Sequence, residues 1–461
     1  MHPKGKVQRL RTAAPAAIAD LRGRLTLKTA WLALFMSGLA AAAGAELRVG
    51  TGLGDITPPI GTPSAGYGNR RGAGMTGVHD RLLATAMLID NGERPIALVG
   101  VDHLGFTYEM VQQVRQAVAD DPLLSRTEIY VGSSHTHAGG GAFLNVPGIG
   151  ETLAGKYDPA AVKVYVDGTA EALRKAAGEL KPARVGLGYG RLEGLNGYRG
   201  DWPPNVPTLP DVAVIKAVGT DGSPLAAFFN FAAHPTVLSG ANMLFSADFV
   251  GYAREHVGRL IGGDVQPVFF NGAQGDVSPR SPGGEDAFAR CDSMGRALAV
   301  EVKRVWDATP VAEALKIETL KETYTLEPKP TSAGLLLPLP PQPTEMNALV
   351  FNDRHAFVSV PGELSCIYDA DIKRFGGWLG FEHVSILGLT NDAHGYLITP
   401  ESWRHMTYES TVSFGGELYG EMIKNKAFAL LHALEPEGAY QADRAKPSSI
   451  LTPAPAPAAA P

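Results

Sequence analysis

The sequence predicts an α/β fold in which a mixed β-sheet core is flanked by helices within one large catalytic domain. Three observations point to it. Short apolar runs of strand length alternate with longer stretches of helical spacing, the alternation expected of α/β proteins. Some neighbouring runs are joined by hairpin signals such as Asp90-Asn91-Gly92, which a purely parallel sheet does not use. The 461 residues are 45% apolar and 19% charged, the balance of a folded globular chain.

Taken in order, Leu47-Arg48-Val49-Gly50 reads as a first strand, followed by a turn and loop over Asp55-Ile56-Thr57-Pro58-Pro59-Ile60-Gly61. Ala84 to Ile89 and Ile96 to Val101 read as a hairpin. Tyr108 to Ala119 has helical spacing, with Met110, Val111, Val114 and Val118 on one face. Ile129-Tyr130-Val131 is a strand, 160–177 a helix, and 183–190, 212–218 and 226–232 are strands. A helix over 249–260, a strand over 265–270 and a long amphipathic helix over 287–306 follow. The proline-dense stretch from Leu326 to Thr344 excludes a regular helix or a central strand, and suits a crossing segment or an apolar flap beside a site. Strands are expected again over 356–360 and 384–389, and helix from Thr411 to Leu434. No internal repeat is visible.

Formal net charge is −6, and the body of the chain carries no Lys/Arg-dense block, so nucleic acid is not an expected partner. The two cysteines, Cys291 and Cys366, read as isolated buried thiols, with a disulfide as the alternative in an oxidising compartment. They form no Cys-x-x-Cys pair, which argues against a thiolate zinc site. Residues Met1 to Lys28 carry seven Lys/Arg, an apolar run follows from Ala30 to Ala43, and Ala43-Gly44-Ala45 has the small-x-small pattern of a cleavage site. The expected organisation is a signal peptide over 1–45, a hydrolase domain over 46–435 and a disordered Pro/Ala-rich tail over 436–461. The expected location is therefore periplasmic or secreted, with an uncleaved anchor as the alternative.

Chemistry concentrates in segments that follow apolar strands. They are Ser133-Ser134-His135-Thr136-His137, Ala233-His234-Pro235, Pro361-Gly362-Glu363 and Gly395-Tyr396. A strand delivers its side chains to the place where it ends, so such loops can converge on one cleft. If the strand geometry continues, His135 and His137, two apart, point to one face. Two imidazoles on one face suit zinc, and nearby glycines let backbone approach a ligand. Pro235 fixes the backbone beside His234. A fifth segment, Gly275-Asp276-Val277-Ser278-Pro279, adds a carboxylate that can orient a histidine or hydroxyl, and a hydroxyl that can donate to a substrate carbonyl. Each residue also has an ordinary reading. His234 suits a hydrogen-bonded core histidine, Glu363 a loop charge, Tyr396 a packing residue, and Asp276 with Ser278 a structural turn.

In combination these segments resemble the amidase domain of the neutral (non-lysosomal) ceramidases. The resemblance runs from about Val49 to Leu434. Further matching pieces are Val49-Gly50-Thr51-Gly52 with Asp55-Ile56-Thr57-Pro58, Ser246 to Tyr252, and Leu389-Thr390-Asn391 to Thr399. The resemblance implies a zinc amidohydrolase that splits N-acyl-sphingosine into a fatty acid and a sphingoid base. It implies His135, His234, Glu363 and Tyr396 as Zn2+ ligands, His137 as a histidine that either supports the ligands from behind or contacts the substrate, Ser278 beside the reacting carbonyl and Asp276 shaping its loop. It also implies a lipid or other amide as substrate and peripheral contact with a membrane surface.

Three departures stand out. Ala138-Gly139-Gly140-Gly141 replaces the family's Ser-Gly-Pro-Gly and is expected to alter the pocket rim. Leu195-Asn196-Gly197-Tyr198-Arg199 only loosely matches an Asn-Arg-Ser-Pro stretch, with Arg199 standing in for its arginine. The family's C-terminal β-sandwich is not expected after Leu434. Two alternatives follow: the same site acting on a different amide, ester or phosphoester, or a non-catalytic envelope binding protein.

Overall fold

Hydrophobic alternation decides the architecture. In strand β2 (Leu83–Asp90) Ala84, Ala86 and Leu88 pack on helices, while Met87 and Ile89 face an inner core, and both sets are buried. A strand buried on both faces reads as an unbroken apolar run, and its two-residue period still sorts the side chains. The computed structural model describes residues 46–437 except Pro147. The expected signal peptide and nearly all of the expected tail lie outside the described residues.

One topology occurs three times. In the first unit β1 (Arg48–Asp55), β2 and β3 (Ile96–Val101) form an antiparallel meander; helix α1 (Tyr108–Ala117) then leads to β4 (Glu128–Ser133), parallel to β3, and α2 (Pro159–Gly178) closes the unit. The second repeats this with β5 (Lys181–Arg191), β6 (Asp211–Gly219), β7 (Pro224–Phe231), α3 (Phe249–Ile261), β8 (Gln266–Asn271) and α4 (Ala287–Ala308). The third uses β9 (Ile317–Leu326), β10 (Gln342–Phe351), β11 (His355–Ser359), α5 (Cys366–Trp378), β12 (His383–Leu387) and α6 (Tyr419–Ala433). The first two sheets join through a short β1/β5 ladder to give eight strands in the order β8-β7-β6-β5-β1-β2-β3-β4; the third stays a separate sheet of four. Each unit packs its two helices on one sheet face. The opposite faces of all three meet in one core that includes Tyr130, Phe228, Phe270, Phe351 and Phe357. The repeat is absent from the sequence because sheet and helix periodicity conserve polarity patterns, not residue identities, and the loops differ in length.

β1 sits unusually close to its helix. A Cβ built on Gly50, Gly52 or Gly54 would lie 1.9, 1.9 and 1.8 Å from the carbonyl oxygens of Ala176, Ala172 and Gly168 of α2. Only glycine permits that approach. Gly52→Ala is expected to lose about 2–3 kcal/mol in a urea melt, the usual cost of overpacking; a loss below about 0.5 kcal/mol would show that the strand moves away freely.

Most expected elements are present with ends shifted by a residue or two. β9, most of β10 and α5 are additions to the sequence reading. β9 is rich in threonine and charged residues and is buried only at its two ends, Ile317 and Leu326, a weaker signal than a buried run. The exclusion of a central strand from 326–344 needs correction, since Gln342–Thr344 opens β10. Pro343 pairs only with Thr325 of β9, and β10 acquires its second neighbour from Asn347 onward, so the missing N–H falls where no ladder needs it. Helix over 411–434 is likewise shortened, because a 3-10 turn at Tyr408–Val412 and a loop precede α6. Cys291 on α4 and Cys366 on α5 are separate buried thiols. Among the described residues no helix is long and apolar enough to cross a membrane.

Candidate metal centre

Each unit ends in a parallel pair, so its last two strands release their loops at the same sheet edge, where open α/β sheets place ligands. Six loops are brought together there. Asn271, ending β8, donates its side-chain amide to the Ser134 and Ala233 carbonyls after β4 and β7. Gly388, after β12, donates to the Asn271 carbonyl, and Ser133 donates its N–H to the Leu389 carbonyl.

β4 stops at Ser133, and His135 takes a left-handed backbone (φ 71°). The expectation that strand alternation points His135 and His137 to one face is therefore corrected. The chain turns at His135, and the two rings meet edge to face with centroids 4.9 Å apart. Leu389 and Asn391, on the facing loop, are also left-handed. Such strain in non-glycine residues persists only where surrounding contacts over-determine it. His234 follows β7, and Glu363 and Tyr396 are direct partners in a two-residue parallel ladder, Glu363–Leu364 against Tyr396–Leu397. Side-by-side strands thus deliver a carboxylate and a phenol together.

The proton positions follow from the partners. His135 Nδ1 contacts the Leu104 carbonyl at 2.7 Å, and His234 Nδ1 contacts the Gln274 carbonyl at 2.6 Å. A carbonyl only accepts, so each Nδ1 carries a proton, and in the neutral imidazole Nε2 keeps a lone pair directed into the site. Both Nε2 atoms lie 3.1 Å from Glu363 Oε2. Two imidazoles and a carboxylate gathered in a buried site are donor types able to hold a cation. His135 Nε2 and both His137 ring nitrogens have no hydrogen-bond partner among the described residues. Burial, assisted by Arg199, pulls the His234 imidazole down to about 3, and burial with the neighbouring imidazoles pulls His137 down as well. Burial works to raise the Glu363 carboxyl, but His135 and His234 outweigh it and hold the group below its ordinary range. At neutral pH His137 and His234 are therefore neutral imidazoles set beside the Glu363 carboxylate, donor types a divalent cation takes.

The Tyr396 hydroxyl oxygen lies 3.5 Å from His234 Nε2 and accepts a hydrogen bond from Arg199 Nη2 at 2.9 Å. One ring nitrogen from each of His135, His137 and His234 falls within 4.8 Å of the others. His137 is wedged between Tyr67, its ring 4.8 Å away, and Gly66, where a Cβ would lie 2.4 Å from His137 Nδ1.

Asp276 and Ser278 flank Val277, whose carbonyl accepts the His234 N–H at 3.1 Å, and the Asp276 carbonyl accepts the Arg199 N–H at 2.9 Å. The Asp276 carboxylate accepts from the Ser365 hydroxyl and, at 2.8 Å, from the Cys366 N–H, tying its loop to the start of α5. Ser278 pairs with Gly197 in a short antiparallel ladder. Neither is among the described residues lining the cavity that opens over the histidines. Gly139 to Gly141 are likewise buried and off that lining, so the expected change at the pocket rim is replaced by close packing, with a Cβ at Gly140 meeting the Tyr165 hydroxyl at 2.3 Å. Arg199 does reach the centre: its Nη2 lies 3.1 Å from His234 Nε2 and 2.9 Å from the Gly275 carbonyl. Sequence reasoning missed Glu409, which accepts from Arg199 Nε at 3.2 Å; no spacing or strand signal marks it. The cavity measures about 580 Å³, has His135, His137, Glu363 and Tyr396 at its base, and takes apolar walls from Leu104, Met110, Phe143, Val146, Leu337 and Leu339.

A mixed α/β fold with a buried imidazole group able to hold a metal ion, set at the base of an apolar cavity, defines the class of protein. Residues 47–322 match the family described as neutral/alkaline non-lysosomal ceramidase, N-terminal, and the chain belongs to that family. It is 27% identical over 266 residues to the neutral ceramidase of Mycobacterium tuberculosis, covering 51% of this chain and 41% of that one. It is 26% identical over 284 residues to that of Drosophila pseudoobscura pseudoobscura, covering 56% and 39%. The chain thus spans about two fifths of the length of these curated relatives. The crystal structure of neutral ceramidase from Pseudomonas aeruginosa superposes with a TM-score of 0.75 at 18% identity, covering 85% of this chain and 74% of that one. A structure described as ceramidase complexed with C2 gives 0.74 at 18% identity, with 84% and 75% covered.

Proposed function

We propose that this chain is a zinc-dependent amidohydrolase that cleaves the N-acyl bond of ceramide-like lipids to a fatty acid and a sphingoid base. The observation that carries the reading is Glu363 Oε2 held 3.1 Å from the Nε2 atoms of both His135 and His234, with His135 and Glu363 lining an apolar cavity. Two donors on one tetrahedral zinc, each about 2.0–2.2 Å from it, lie roughly 3.3 Å apart. The His135–Glu363, His234–Glu363 and His234–Tyr396 separations of 3.1, 3.1 and 3.5 Å fit that spacing. The outer limit of 4.8 Å for the three-histidine group is looser. This favours His135, His234, Glu363 and Tyr396 as the ligands and leaves His137 free.

A bound zinc ion supplies Lewis acidity, lowering the pKa of water and polarising an amide carbonyl. The chain's own groups do the rest. Leu104 and Gln274 carbonyls hold the two imidazoles in the ligating tautomer. Arg199 directs an N–H at the Tyr396 oxygen and adds positive charge where an oxyanion develops. His137, at the cavity base with both nitrogens unengaged, is placed to carry a proton to the departing amine. The apolar walls accept hydrocarbon chains and exclude water. Asp276 keeps the loop after β8 in register, and Ser278 is assigned to that loop's side of the substrate channel.

The lipid reading extends to the cavity mouth. Leu336 is 52%, Met406 61% and Tyr408 60% exposed. Their segments are joined by hydrogen bonds from Ser332 to the Ser410 carbonyl and from Lys329 to the Phe414 carbonyl, while Leu337 and Tyr408 also line the cavity. We propose that this rim meets a lipid surface and that the chain is exported, with 46–435 as the catalytic domain. One experiment tests the function. Purified protein is analysed for bound metal and assayed for fatty acid release from vesicle-borne ceramide, a soluble short-chain amide and a panel of esters and phosphoesters, before and after chelation. Zinc-restored release from ceramide is expected. Turnover confined to another class would reassign the substrate, and metal-independent turnover would remove the zinc reading.

A further inference from the structure

Glu409 is a carboxylate with no role in the chemistry so far described. It sits in the 3-10 turn Tyr408–Val412, between a cavity-lining tyrosine and a buried serine, and is only 3% exposed. Its Oε1 accepts from Arg199 Nε at 3.2 Å. Another nitrogen of the same guanidinium, Nη2, reaches three atoms of the centre: His234 Nε2 at 3.1 Å, the Tyr396 hydroxyl at 2.9 Å and the Gly275 carbonyl at 2.9 Å. Arg199 also lies 5.7 Å from the centroid of the Tyr396 ring.

Arginine stays protonated in proteins. A guanidinium beside a divalent cation therefore meets like-charge repulsion in a site where water screens little. Something must hold it there, and a planar guanidinium is fixed in orientation when a second of its nitrogens is anchored. Glu409 supplies both a negative charge and that anchor. With the imidazoles neutral, the centre counts two carboxylates against one guanidinium, a net single negative charge for an incoming cation. Without Glu409 the same count is zero.

We propose that Glu409 is a positioning residue that acts through Arg199, keeping the guanidinium against Tyr396 and His234 and so tuning the affinity of the centre for its metal. The proposal rests on the reading that the centre holds a divalent cation; it does not depend on which amide is the substrate. Glu409 is neither one of the proposed ligands nor among the described residues lining the cavity.

The test is a pair of backgrounds read by zinc affinity, with zinc competed against a chromophoric chelator. In the otherwise wild-type chain, Glu409→Gln is expected to weaken zinc binding about tenfold or more, the scale of outer-shell contacts. The fall is expected to be accompanied by a drop in kcat with KM held within about threefold. In an Arg199→Gln background the same Glu409→Gln change is expected to move zinc affinity by less than about threefold, because the group it positions is gone. An equal loss in both backgrounds overturns the proposal, as does unchanged zinc affinity with only a lowered melting temperature. If Glu409→Gln does not fold, the comparison is made with Glu409→Asp, which keeps the charge but withdraws it from Arg199 Nε. A loss seen only when Arg199 is present supports the proposal, and a loss in both backgrounds overturns it. A wild-type chain that binds no zinc removes the metal reading itself, an outcome distinct from all of these.

Discussion

Glu363→Gln is expected to reduce amide hydrolysis by about 10³-fold or more while leaving the fold intact. The metal is asked for several kcal/mol of polarisation, and each 1.36 kcal/mol is a tenfold change in rate. The substitution keeps the shape of the side chain and removes the charge that faces two Nε2 atoms at 3.1 Å. The stability change on adding zinc is the stronger check. In the metal-free protein the side-chain amide introduced by Glu363→Gln can still donate to an imidazole lone pair, in place of the contacts the carboxylate makes with His135 and His234. Metal-free Glu363→Gln should therefore still unfold in one cooperative thermal transition, and the response to zinc is what separates it from wild type. Added zinc should raise the melting temperature of wild type and leave the variant unmoved, since a ligand that binds only the native state stabilises in proportion to its affinity. Paired thermal melts with and without zinc read both effects, and a variant that keeps the wild-type response to zinc would end the case for Glu363 as a ligand.

Arg254→Met is expected to destabilise the protein by about 3–5 kcal/mol at pH 8, the range for breaking one side of a buried ion pair. Asp102, fully buried at the end of β3, forms a two-pronged pair with Arg254 of α3, Nη1 to Oδ1 at 2.7 Å and Nη2 to Oδ2 at 2.5 Å. It also accepts the Leu83 N–H at 2.9 Å. The pair joins the first unit to the second beside the loop that carries His135. Burial raises the Asp102 carboxyl above its ordinary value even with Arg254 opposing, and removing Arg254 leaves burial unopposed. A carboxyl whose folded pKa exceeds its unfolded value holds an extra proton in the native state between the two. Stability therefore falls as pH rises through that window. The cost of Arg254→Met should accordingly shrink toward pH 5, as Asp102 takes up a proton, and grow toward pH 8. Urea melts across that range measure it, and Asp102→Asn combined with Arg254→Met should cost less than Arg254→Met alone. A cost that does not vary with pH would show that Asp102 stays ionised without its partner.

The histidine and carboxylate segments were legible because catalytic groups on α/β folds sit where strands end, and a buried strand is conspicuous as an apolar run. Glu363 and Tyr396 could be paired with His135 and His234 only through resemblance to a family, since residues so far apart in the chain carry no spacing signal. The backbone turn at His135 was not legible: a left-handed histidine is imposed by the loops around it, against local preference. Arg199 was named through a loose motif match, and its contacts with three atoms of the centre were not foreseeable. Glu409 was invisible, because a glutamate in a polar turn reads as surface until folding buries it.

The sequence by itself determined the order and type of most elements, the mixed character of the sheets and the donor types available to a metal, because these depend on local periodicity and side-chain chemistry. Only the tertiary structure decided that one topology occurs three times, that its parallel pairs all open at one edge, and that Arg199, anchored by Glu409, stands beside His234 and Tyr396. Those facts arise from packing between segments far apart in the chain, where burial and charge balance, not neighbouring residues, select the arrangement.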